Sequence, residues 1–152
     1  MSEATDFDFL LGSWNIHNAY INREGAWQEF EARHTGEEKH LDGRVLVEHF
    51  EGTLSNGDTT KGMTIRAFDP QTHYWSIVWL DNRNRPDFRP MLGKFQDGVG
   101  LFYQDTEAPD GRPMRMRYTW DNITEHTARW QQAISFDGGN SWDTNWIMDF
   151  TR

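Results

Sequence analysis

Residues 42–72 read DGRVLVEHFEGTLSNGDTTKGMTIRAFDPQT, and three turn signals divide them into two strand-length segments. Asp42-Gly43 and Asn56-Gly57 reach positive φ at little cost, as the type I′ turn of a tight hairpin requires. Asp69-Pro70-Gln71-Thr72 closes the stretch with a proline turn. Between them, Val45-Leu46-Val47 and Met63-Thr64-Ile65 supply the β-branched and apolar residues of strands. Outward from here the same punctuation recurs at Asp97-Gly98, Asp110-Gly111 and Asp137-Gly138. Arg23-Glu24-Gly25, residues 82–90 (NRNRPDFRP) and Asp121–Glu125 add further breaks. Nine interruptions thus divide residues 12–151 into ten segments.

No segment has helical periodicity long enough to cross between parallel strands, so sequential strands must run antiparallel. A meander this wide removes its edges most simply by closing on itself. The expected fold is all-β: one domain over residues 1–152, forming a single antiparallel up-and-down β-barrel of about ten strands. A short helical turn around Asp6–Leu11 precedes it, with Asp6 as cap and Phe7, Leu10 and Leu11 as a plug. The competing arrangement is an open, curved sheet packed on a second sheet.

Composition narrows the class. The chain has 152 residues, 36% hydrophobic and 26% charged, which describes a globular protein. A net charge of −9 argues against a nucleic-acid partner held through phosphates. The absence of cysteine excludes disulfides, thiolate metal sites and cysteine nucleophiles. The longest apolar run, Ile77–Leu80, is far short of a membrane span, and the acidic N-terminus lacks a signal-peptide plan. A cytoplasmic protein without a membrane partner is the expectation.

Phe9-Leu10-Leu11-Gly12-Ser13-Trp14 resembles the Gly-x-Trp opening of the calycins, the lipocalin and fatty-acid-binding barrels. In those, the Trp closes one barrel end over a short N-terminal helical turn. Phe68-Asp69-Pro70 before Trp75, Trp120-Asp121-Asn122-Ile123-Thr124 before Trp130, and Asn145–Phe150 extend the likeness. With them the chain resembles a bacterial family of calycin-like barrels of unknown function. That resemblance implies a fold and brings no activity. The first hairpin has no room for the helical pair of fatty-acid-binding proteins. Haem-binding barrels of the nitrobindin type use a late His, whereas the last His here, His126, falls in a loop; no cofactor is expected. Ser135-Phe136-Asp137-Gly138-Gly139-Asn140-Ser141-Trp142 is similar to the Asp-box of sialidases, a self-bonded hairpin read here as structural.

Turn lengths fix pairing, and pairing fixes faces. A three-residue turn at 23–25 sets Trp14 opposite His34, Ile16 opposite Ala32 and Asn18 opposite Phe30. A two-residue turn at 42–43 sets His34 opposite Glu51 and Gly36 opposite His49. The Asn56-Gly57 turn sets His49 opposite Thr64 and Val47 opposite Arg66. A four-residue turn at 69–72 sets Arg66 opposite Trp75 and Gly62 opposite Trp79. The expected interior therefore holds Trp14, Ile16, Asn18, Tyr20, Phe30, Ala32, His34, Val45, Val47, His49, Glu51, Thr64, Arg66, Trp75, Ile77, Trp79 and Asp81.

Aromatic walls with a few convergent polar groups make a small-molecule site. Arg66 is the candidate partner of a carboxylate or phenolate, with Trp75 and Trp79 as flat walls and Asp81, Tyr20 and Asn18 beside them. A self-satisfied polar network is the structural alternative. On strand 112–120 either Met114, Met116, Tyr118 and Trp120 or Arg115 and Arg117 point inward; the second choice adds both arginines to the ligand set. The expected function is binding of a small apolar or aromatic, acidic molecule inside the barrel.

Two other classes remain. An inward His49 or His34 oriented by Glu51 suits a cofactor-free isomerase, cyclase or hydratase. A filled barrel suits an interaction protein, with Met63, Ile65 and Tyr74 of the outer face in a homodimer contact. No nucleophile elbow, phosphate loop, dinucleotide fingerprint or His-Glu-x-x-His is present. His34 and His40 on one strand lie about 20 Å apart, too far to share an ion, so no metal is expected.

Overall fold

The computed structural model describes residues 1–152. A 3-10 turn, Asp8–Leu10, precedes ten strands: β1 Gly12–Ile21, β2 Trp27–Gly36, β3 Val45–Thr53, β4 Thr59–Asp69 and β5 Tyr74–Asp81. The remainder are β6 Met91–Gln96, β7 Val99–Glu107, β8 Pro113–Asp121, β9 Thr127–Ser135 and β10 Asp143–Thr151. Each strand pairs antiparallel with the next, and β10 returns to β1, so the meander closes as an up-and-down barrel. Closure satisfies both edges that an open sheet would expose. No helix is long and apolar enough to cross a membrane.

The plug forms and seals one end, but Asp6 does not cap it: the turn begins at Asp8 after Phe7 with no side-chain cap, and the Asp6 carboxylate accepts instead from Glu3 N–H (2.8 Å) and Ser2 Oγ. Phe7 and Leu10 are buried, and Phe7 meets Trp75, Phe95, Phe102 and Trp120 at ring separations of 4.9–6.1 Å. Trp14 Nε1–H donates to the Phe9 carbonyl (2.9 Å), fixing the turn against β1. Gly36 is where the plug comes closest to the wall: a Cβ there would lie 2.0 Å from the Leu10 oxygen.

The first hairpin has the expected register, Trp14 opposite His34 and Asn18 opposite Phe30. The next does not. His40 pairs with Val45 as a two-residue turn dictates, yet the ladder beyond pairs Gly36 with Glu48. Residues 37–39 thus oppose only residues 46 and 47, and one extra residue on the β2 side turns β3 over. Val45, Val47, His49 and Glu51 consequently face outward, while Leu46, Glu48 and Phe50 face the lumen.

A second slip follows at the β3–β4 turn. Leu54 N–H bonds the Asp58 carbonyl, leaving three loop residues with Gly57 at φ +88°, where two were expected. Thr64 therefore pairs with Glu48 and Arg66 with Leu46, and the second slip cancels the first. At β4–β5 the ladder extends to Asp69–Tyr74, so Arg66 faces Ile77 and Thr64 faces Trp79. That is a shift of two positions in β5, which preserves faces.

On β8 the Met116, Tyr118 and Trp120 side chains line the lumen. Arg115 and Arg117 lie outside, their guanidinium carbons 4.6 Å from the Tyr103 ring and 4.3 Å from the Trp142 ring. Trp142 is held by the Asp-box hairpin. There Asp137 accepts from Ser135 Oγ (2.7 Å), Ser141 N (2.9 Å) and Ser141 Oγ (2.5 Å). These bonds, that with Ser141 first, hold the Asp137 carboxyl at about 2.

Candidate functional site

Above the plug the barrel encloses a cavity of about 490 Å³. Its floor is polar and its walls are aromatic. Phe50, Trp79, Tyr118, Trp130 and Trp146 form the walls, and Thr60, Thr64 and Gln132 add neutral polar atoms. From the level of Arg66 and Ile77 to Asp81 at the mouth is four residues of β5, about 13 Å at strand rise.

The floor is built by facing strands. Arg66, 4% exposed, comes from β4; Glu48, 6% exposed, from β3; His34, 1% exposed, from β2. Arg66 Nη1 lies 2.7 Å from Glu48 Oε1, and His34 Nδ1 lies 2.6 Å from Glu48 Oε2. The His34 Nε2–H donates to the Leu10 carbonyl at 2.8 Å, tying the cluster to the plug. Both carboxylate contacts are off the hydrogen-bond axes, so Glu48 Oε2 and Arg66 Nε and Nη1 have no aligned partner. Trp120 Nε1 is a further buried donor without an acceptor. The Arg66 guanidinium also sits 4.8 Å over the Phe7 ring and 5.7 Å over Trp120.

Burial by itself would raise the Glu48 carboxyl; the charges of Arg66 and His34 overcome it and hold the group at about 2. Burial pushes the Tyr118 phenol up to about 12 against the opposing charge of Arg66. Tyr118 is therefore a neutral hydroxyl at ordinary pH.

At the mouth, Asp81 organises residues 81–84. Its carboxylate accepts from the Arg83 and Asn84 backbone N–H groups (2.8 Å each) and from Trp79 Nε1 (2.7 Å). Burial opposes ionisation of Asp81, and these bonds together with the Asn84 amide outweigh it and lower its pKa. Only Trp75–Ile77 of β5 pair with β6, so residues 82–90 cover the remaining wall. Gln104 Nε2 pins that segment by donating to the carbonyls of Arg89 (2.9 Å) and Pro90 (3.2 Å).

Of the residues nominated from sequence, His34, Arg66, Trp79 and Asp81 line this cavity. His49 and Glu51 do not: the turned-over β3 places His49 against Glu37 outside (2.6 Å) and Glu51 near Lys61 (4.0 Å). Arg115 and Arg117 are outside for the reason given above. Trp75 is buried beneath the floor against Phe7 and Phe68. Asn18 and Tyr20 stand behind the wall, where Asn18 Oδ1 accepts from Trp146 Nε1 (3.0 Å) and Tyr20 packs at 5.4 Å from the same indole. Met63 and Ile65 of β4 and Tyr74 of β5 lie on the outer surface. Glu48 was not nominated; its signal is its place between the bulky apolar Leu46 and Phe50.

No protein-family model matches the chain, and no curated protein matches it in sequence. Solved structures do match in fold. The S-type phycobiliprotein lyase CPES from Guillardia theta superposes with a TM-score of 0.68 at 14% identity, covering 100% of this chain and 93% of that one. Rv2717c from M. tuberculosis gives 0.64 at 12% identity over 100% and 98%. EF1p2_mFAP2b bound to DFHBI gives 0.50 at 12% identity over 99% of each chain. The chain shares their barrel.

Proposed function

We propose that the barrel binds a small, flat, largely apolar molecule carrying an acidic group, with the acid seated against Arg66. One observation carries this reading. A buried guanidinium, paired with one carboxylate, lines the bottom of an otherwise aromatic cavity. In that apolar, low-dielectric enclosure an anionic oxygen meeting the cavity-lining edge of the guanidinium would gain a charge-assisted hydrogen bond. Indoles of Trp79, Trp130 and Trp146 supply flat contact area above it. EF1p2_mFAP2b, of the same architecture, is bound to a small molecule, DFHBI. An acid–base role for His34 is not favoured, because its two ring nitrogens are engaged by Leu10 and Glu48.

A matched pair of fluorescent probes tests the reading. 8-Anilinonaphthalene-1-sulfonate is a flat monoanion, and N-phenyl-1-naphthylamine is the same scaffold without the charge. The protein is expected to bind the sulfonate roughly tenfold more tightly, and Arg66→Met is expected to abolish that preference. Equal affinities in the unaltered protein, or a preference that survives Arg66→Met, would remove Arg66 from the site.

A further inference from the structure

Residues 82–90 border the open end of the barrel and carry three arginines, on a chain whose net charge is −9. Two of them, Arg83 and Arg85, line the cavity at its mouth. Arg83 enters the bond network through its backbone N–H alone. Neither guanidinium has a carboxylate partner, whereas Arg89 pairs with Asp87 (2.8 Å) and lies 3.7 Å from Glu107. The mouth therefore holds two unengaged cations above an aromatic chamber, and Arg66 stands at the chamber's far end. Between these levels the walls are Phe50, Trp79, Trp130 and Trp146, with no cation among them.

The two carboxylates that line the mouth are already engaged. Asp87 accepts from the Arg89 backbone N–H (3.0 Å) and guanidinium (2.8 Å). Asp81 accepts from the Arg83 and Asn84 backbone N–H groups and from Trp79 Nε1, and the Asn84 amide adds contacts of 3.2 and 3.1 Å. Those donors fill the sites that one carboxylate offers. Asp81 thus spends its oxygens on fixing the backbone that presents Arg83. Gln104 pins the other end of the segment at Arg89 and Pro90. From Asp81 to Arg89, three arginines against two carboxylates leave the mouth positive by one charge.

We infer that Arg83 and Arg85 form a second anion subsite at the mouth, so that the preferred ligand is an elongated, apolar diacid with one acidic group against Arg66 and the other against these two arginines. The inference rests on the binding reading above and narrows its ligand class. About 13 Å of β5 separates the level of Arg66 from the mouth, so a short diacid leaves one end unpaired and a longer one engages both. Once the first acid is seated, the second meets its partners as an intramolecular event, without a further loss of translational freedom. Arg83 and Arg85 are exposed, so the gain they give is modest and screened by salt.

The test uses rigid rods of increasing length: terephthalate, biphenyl para,para′-dicarboxylate and the para-terphenyl homologue. Each is titrated calorimetrically beside its monocarboxylate and its uncharged monocarboxamide. In terephthalate the second carboxylate should add nothing. In one of the two longer rods it should raise affinity at least about threefold at low salt, and that gain should shrink in about 0.5 M salt. The double variant Arg83→Gln/Arg85→Gln should bring the ratio of diacid to monoacid affinity back to that of terephthalate. No gain at any length, or a gain that survives the double substitution, overturns the inference and leaves the binding reading standing. Monocarboxylates bound no more tightly than their carboxamides by the unaltered protein would remove the binding reading itself.

Discussion

Glu48 holds Arg66 and His34 in place from inside the barrel, and that arrangement makes stability depend on acid. Its carboxyl has an ordinary value of 4.5 and is held at about 2 in the folded chain. A depressed carboxyl contributes its full stabilisation above the unfolded value and loses it as the pH falls through the folded one. The window is therefore from about pH 4.5 down to about pH 2, and the contribution is on the order of 3 kcal/mol. Glu48→Gln should lack that part of the acid sensitivity. Near neutral pH the substitution should cost about 3–5 kcal/mol, because it strands Arg66 without its counter-charge. Urea unfolding of both proteins across this range is the measurement; parallel pH profiles would show that Glu48 does not carry the pair.

Among the elements, β4 and β5 set the shape of the cavity wall. Gly62 lies under the Trp79 indole, and a Cβ there would stand 1.9 Å from Cη2. Gly62→Ala must therefore push the ring off its seat and away from Asp81, its partner at 2.7 Å. Sulfonate-probe affinity is expected to drop about tenfold, with a modest fall in Tm; unchanged affinity would mean that Trp79 is not a wall of the occupied site. The same strands show how far the sequence could be read. Asn-Gly and Asp-Gly pairs announce hairpins, so the number and order of strands were legible. Register was legible at the β1–β2 hairpin but not at the three that follow, because it hangs on single residues that a turn absorbs. The extra residue at 37–39 and the G1-type turn at 55–57 each shift pairing by one. Their effects cancel at Arg66 and Thr64 but not at β3 between them. Hence Arg66 was placed inside correctly, while His49 and Glu51 were named in place of Glu48. On β8 both faces alternate regularly, and the outward stacking of Arg115 on Tyr103 and of Arg117 on Trp142 separates them.

For the whole molecule, closure and plug act together. Pairing of β10 with β1 makes a lumen with no edge, and Phe7 and Leu10 seal one end of it. The charged cluster is thereby confined between the aromatic plug and an aromatic chamber, with solvent reached through the end that residues 82–90 border. In such a setting a single guanidinium is worth more to an anion than any of the chain's other fourteen Lys and Arg side chains, set on an otherwise acidic protein. A crystal structure of the protein with 8-anilinonaphthalene-1-sulfonate tests this most directly. The account predicts sulfonate oxygens within hydrogen-bond distance of Arg66 and the naphthalene ring between the indoles of the upper chamber. A probe seated on the outer wall, or one lodged in the lumen with its sulfonate at the mouth and Arg66 untouched, would contradict it.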